Sequence, residues 1–122
     1  MAKTASDLVL DNGPQYIKDN AILMTVCNAQ PTTYAEATST FKLADVVMAS
    51  ADFTLSNGDT SGRKVAVAAK SAVPIDTTGT AVFVALVDAA ALLIVTTCTS
   101  QALTSGGTVD IPTWDDEIAD PT

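Results

Sequence analysis

Histidine is missing from all 122 residues, and with it the side chain that most often serves as a base near neutral pH. A serine or cysteine nucleophile would then need a lysine or another special partner. Only two cysteines occur, Cys27 and Cys98, in no CxxC pair; a zinc site needs several such ligands, so a Cys/His metal centre is excluded. Both cysteines sit among apolar residues typical of strands, and they are expected to be reduced, buried and without a redox role. Basic residues are scarce as well. Six Lys and Arg stand against fourteen Asp and Glu, for a net charge of −8, and they cluster no further than the pair Arg63–Lys64. Phosphate recognition needs a basic patch, so direct binding to nucleic acid is not expected. The acidity itself speaks for a solvated surface more than for any partner.

A bilayer-spanning helix needs about 20 consecutive apolar residues. The longest apolar run here, Ala81 to Val95, is shorter and carries Asp88 at its middle, where a charge in a bilayer costs at least about 2.5 kcal/mol. No membrane association is expected. The opening "MAKTASDLVLDNG" lacks the apolar core of a secretory signal, so synthesis and residence in a cytoplasm are expected. Neither a phosphate loop nor a GxGxxG occurs, and neither "SNGDTSG" nor the acidic C-terminus has the spacing of a calcium loop. No cofactor and no enzymatic activity are expected.

What is present is β-rich. "TAVFVALV" and "LLIVTTCT" abound in β-branched residues, whereas "DAAA" between them does not, which predicts a hairpin with strands over about 80–87 and 92–99. The first of these is apolar on both faces and should lie centrally. "SGRKVAVAAKSAVPID" alternates Val65, Val67 and Ala69 with Lys64, Ala66, Ala68 and Lys70, the pattern of a half-buried strand. "ILMTVCN" at 22–28 is another strand candidate, and "TVDIP" and "TWDDEI" are short ones separated by Pro112. Turn formers recur at 56–62, 76–79 and 104–107. Between 29 and 45 a Thr-rich connection is expected, with a helical turn near Tyr34–Ala37; residues 45–55 fit either strand or helical turn followed by strand. "DNGPQYIKDNA" offers Asp11 or Asn12 as a cap and Pro14 in a first turn, predicting a short helix over about 14–20. The expected fold is mainly β: a small antiparallel β-sandwich or barrel of about six to eight strands with one short N-terminal helix. Residues 1–13 are expected to form an arm and residues 14–122 a single domain.

Two features could carry function. "DIPTWDDEIAD" groups Asp110, Asp115, Asp116, Glu117 and Asp120 beside Trp114, so a carboxylate pair of the glycosidase kind or a carbohydrate-binding surface is conceivable there. Neighbours on a strand point to opposite faces, however, which favours plain solvation of these charges. The second feature is apolar: Leu8, Val9 and Leu10 in the arm, and Trp114 and Ile118 on one face of the last strand. A patch on each end of so small a domain can mark an interface for self-association or attachment.

"NAQPTTYAEATSTFKLAD", "SGRKVAVAAK", "GTAVFVALVD" and "TSQALTSGGTVDIPTWDDEIADPT" together resemble, in order and spacing, a group of small virion proteins of tailed bacteriophages and of prophages in alphaproteobacteria and similar bacteria. The resemblance covers the chain from about Tyr16 onward. Relatives often carry a polar pair such as Thr-His where this chain has Val82–Phe83, which implies packing at that point of the strand. The resemblance implies a virion structural protein assembled in the host cytoplasm, foremost a capsid decoration or cement protein. Its partners would be the major capsid protein and copies of itself, a trimer being one arrangement. A tail or fibre component is the alternative, and a small carbohydrate-binding module a further one.

Overall fold

Asp88, the one charge inside the long apolar run, is where the chain reverses. Its Oδ1 accepts hydrogen bonds from the amides of Ala90 (2.7 Å) and Ala91 (2.6 Å), and its own amide donates to the Ala91 carbonyl at 3.0 Å. An aspartate that satisfies its own turn in this way is a common turn initiator. The flanking segments then pair antiparallel, with Ala85 opposite Val95 and Leu86 opposite Ile94. The expected hairpin is present.

The computed structural model describes residues 6–118, and residues 7–10 by their backbone alone. Helix α1 (Asp7–Asn20) is followed by nine strands: β1 (Leu23–Cys27), β2 (Lys42–Val47), β3 (Phe53–Asn57), β4 (Arg63–Val67), β5 (Lys70–Pro74), β6 (Gly79–Val87), β7 (Leu92–Leu103), β8 (Thr108–Ile111) and β9 (Trp114–Ile118). They form three antiparallel sheets, ordered β2-β1-β6-β7, β3-β4-β9 and β5-β8. The fold is thus mainly β with one N-terminal helix, in the manner of a small sandwich. One core joins all the layers: Met24, Val26 and Leu86 from the first sheet meet Phe53, Val65 and Val67 from the second, Val73 and Val109 from the third, and Ile17 from α1. Each such side chain taken from water contributes roughly 1.5–3 kcal/mol.

The first sheet is covered on its other face too. There Ala85 and Val87 pack with Ala37, which lies in a π-helical segment at Glu36–Thr40. This explains why β6 is apolar on both sides. Thr25 on the same face is fully buried; its hydroxyl lies 3.7 Å from Cys27 Sγ, whose thiol donates toward the Ala37 carbonyl at 3.8 Å.

Several expectations are corrected. The helix begins at Asp7, so residues 7–13, expected in an arm, are helical backbone, and Pro14 lies inside the helix instead of in its first turn. The stripe Pro14, Ile17 and Ala21 is buried, Lys18 Nζ donates to the carbonyls of Ser50 (3.0 Å) and Phe53 (2.8 Å), and the Asp11 carboxylate pairs with Arg63 at 2.8 Å. These contacts offset the hydrogen bond that a proline removes. The segment 61–76 is two strands in different sheets, and Ala69, expected inside, is exposed. Residues 42–44, expected in a connection, begin strand β2, which runs on to Val47. The strand count exceeds the expected upper bound by one.

Candidate functional site

Of the five apolar residues expected at an interface, Leu8, Val9 and Leu10 lie in the first turns of α1, and their side chains fall outside the described residues. Trp114 and Ile118 begin and end β9 and share one face, opposite Val67 and Arg63 of β4. Ile118 rests against the helix: a Cβ built on Gly13 would come 2.9 Å from its Cδ1. With Asp11 paired to Arg63 next to it, the end of β9 and the first half of α1 form one continuous region. The helix around Asp11 and Gly13 therefore adjoins the end of β9. Trp114 is half-buried and packs on the core, and its indole Nε1 is buried with no hydrogen-bond partner among the described residues.

The C-terminal carboxylates do not converge. Asp110 accepts the Ala72 amide at 2.8 Å, Asp115 pairs with Lys64 at 3.1 Å, and Glu117 accepts the Thr60 amide at 3.2 Å. Asp116 points to the opposite face, where burial and then the neighbouring Asp115 charge push its carboxyl above the ordinary range. Asp120 falls outside the described residues. No two of the four described residues are placed as an acid and a base across a common space. Elsewhere carboxylates do similar structural work. Asp52 accepts the Ala49 amide at 2.8 Å and holds Lys70 at 2.9 Å; the amide bond first and the lysine second lower its pKa. Glu36 is lowered by hydrogen bonds from the Thr32 hydroxyl and amide. Among the described residues, every lysine and arginine is engaged with a carboxylate or a carbonyl, and no group of three metal-ligating side chains forms.

What the fold leaves open is mostly uncharged, Asp110 being the one charged residue on its lining among the described residues. β7 and β9 are the last strands of their sheets, and both border a groove made of two adjoining hollows of about 200 and 270 Å³. Val84, Ile111 and Pro112 line both hollows, with Cys98 and Thr99 from β7, and Trp114 closes the second. The groove follows from a bulge. Ala81 stands opposite Gln101 but Phe83 opposite Thr97, so Cys98–Ser100 face Val82 alone and the strand bends away. Cys98 is half-buried here, against the expectation of full burial, while Cys27 is buried as expected; both are free thiols, and burial raises both pKa values.

Period-two alternation correctly assigned Trp114 and Ile118 to one face. The groove was not foreseen, because a two-residue excess in β7 relative to β6 appears only once their register is known. No known protein family, curated protein or solved structure matches the chain.

Proposed function

We propose that the protein is a structural component of a phage virion that works by contact: a capsid decoration or cement protein, bound to the major capsid protein on the outside of the head. The observation that carries this reading is the division of the surface. Charged groups are committed to turns, caps and internal pairs, which leaves no convergent polar constellation for chemistry among the described residues. Meanwhile the groove beside β7 is lined almost wholly by uncharged or apolar groups, Asp110 being the exception. Such a molecule gains free energy by burying surface across subunit junctions. The net charge of −8 suits a protein that must stay soluble at high copy number before assembly. The sequence resemblance to small virion proteins points the same way.

Stained gels of purified particles test the proposal. A decoration protein should approach the abundance of the major capsid protein, and recovery at only a few copies per particle would transfer the chain to a tail or fibre. The carbohydrate-binding alternative has less support, since Trp114 packs on the core and its acidic neighbours are tied to Lys64 and Thr60. A glycan-array signal lost on Trp114→Ala would revive it.

A further inference from the structure

The edge of the first sheet is built in a way that monomeric β-proteins avoid. A free edge presents unpaired amides and carbonyls, and it is usually kept short or protected with charges, proline or a covering segment. β7 runs for 12 residues, about twice the ordinary strand length, and no other strand lies on its outer side among the described residues. No charged residue occurs between Asp88 and Asp110, and no proline. The other edges are handled differently. β2 carries Lys42 and Asp45 and is partly covered, because the Asp76 amide donates to the Leu43 carbonyl at 2.8 Å; β9 carries Asp115, Asp116 and Glu117.

The side chains of β7 are unfinished in the same sense. Leu92, Leu93, Ile94 and Val95 are four consecutive large apolar residues, all only half-buried, on both faces of the sheet. Leu92 and Val95 extend the cluster around Val87, while Leu93 and Ile94 extend the main core. A strand laid beside β7 would cover both sets at once. Two register shifts, at Leu93 and at Cys98–Ser100, leave Ile94–Thr97 as the regular stretch between them.

We propose that the outer edge of β7 is the self-association surface, pairing antiparallel about a two-fold axis with β7 of a second copy, centred on Ile94–Thr97. Charge selects this occupant. Two copies that each carry −8 repel over most of their surface, and a long neutral strip is what they need where they touch. A two-fold contact is isologous, so the same strip serves both partners. With the axis at Thr96, Thr96 faces its own copy and Val95 faces Thr97, pairs of β-branched residues that share a face and suit neighbouring strands. The proposal refines the self-association within the decoration reading, but it does not require the capsid.

The test uses the purified full chain without capsids. Sedimentation should find a dimer, and amide exchange should become slower at Ile94–Thr97 as protein concentration rises. Thr97→Lys, at an exposed position, should weaken association by about tenfold or more while leaving the thermal melting of the monomer near wild type. Thr99→Lys, also exposed, provides a second variant should the first fail to fold. A monomer at all concentrations, a trimer, or association that survives the folded lysine variant would overturn the pairing. Each of these results leaves the copy number in virions, and so the decoration reading, to be judged separately.

Discussion

Replacing Ala72 by glycine is expected to stabilise the fold. Ala72 lies at the irregularity between β5 and β8, where Lys70 faces Ile111 and Val73 faces Val109, and its φ is 55°. The left-handed region costs an L-residue roughly 1–2 kcal/mol, whereas the added chain entropy of glycine costs about 0.5–1 kcal/mol. The methyl group is exposed, so no packing is lost, and the amide bond to Asp110 Oδ1 at 2.8 Å is a backbone bond that survives the change. The difference is a gain of about 0.5–1 kcal/mol, or roughly 2–5 °C in melting temperature for a domain of this size. Ala69→Gly makes the same chemical change at an exposed position three residues away. Among the described residues Ala72 is the one non-glycine with positive φ, so the Ala69 variant should lose about 0.5–1 kcal/mol. Urea unfolding of both variants decides the matter. If Ala72→Gly lowers stability as much as Ala69→Gly does, the backbone at 72 is not strained and the reasoning fails.

Removing the Asp88 carboxylate strands two turn amides, so Asp88→Ala should cost about 1–2 kcal/mol and Asp88→Asn, which keeps the acceptor, clearly less; equal urea midpoints for the two variants would contradict this. Asp116 has a raised carboxyl pKa in the fold, from burial first and Asp115 second. The neutral form is therefore the favoured one, and stability is lost as pH rises from the ordinary carboxylate value toward the raised one. Asp116→Asn should accordingly melt higher than wild type at pH 7, with the gain shrinking as wild-type Asp116 is protonated in acid; a gain independent of pH would point to another cause. A thiol reagent should label Cys98, half-buried at the groove, and reach Cys27 only after unfolding. Rapid labelling of both in the native protein would be inconsistent with the packing beneath Ala37.

The hairpin around Asp88 was legible because β-branched flanks and an aspartate-led turn are local signals, and β6 was readable as central from its apolar faces. Local signals also misled. Asp11 or Asn12 followed by Pro14 looks like a helix start, yet α1 passes through them, held by Lys18 and Asp11 against partners 32 to 52 residues away. β2 was hidden for the reverse reason. Its Lys42 and Asp45 look solvent-loving, but they pair with each other at 2.9 Å while Leu43 and Ala44 face inward. The change of sheet between β4 and β5 passes through Ala68 and Ala69 without any turn residue, and the left-handed backbone at 72 falls on an alanine, so neither is marked by composition. The dispersal of the acidic cluster could be anticipated from strand alternation; its partners Lys64, Thr60 and Ala72 could not.

The strand orders also impose a timetable on the chain. β1 lies between β2 and β6, and β4 lies between β3 and β9, so each sheet waits for a segment made some fifty residues or more after its central strand. Neither sheet can finish until late in synthesis, and pairings of this separation fold slowly, on the order of milliseconds to seconds. The neutral stretch of β7 ends only about fifteen residues before the end of β9, so the two leave the ribosome close together. At roughly 5–20 residues per second, about 1–3 s pass between the end of β7 and the end of β9. Chains that meet before the two sheets have closed present this edge to one another unpaired. Yield of native protein should then depend on how quickly β9 docks on β4.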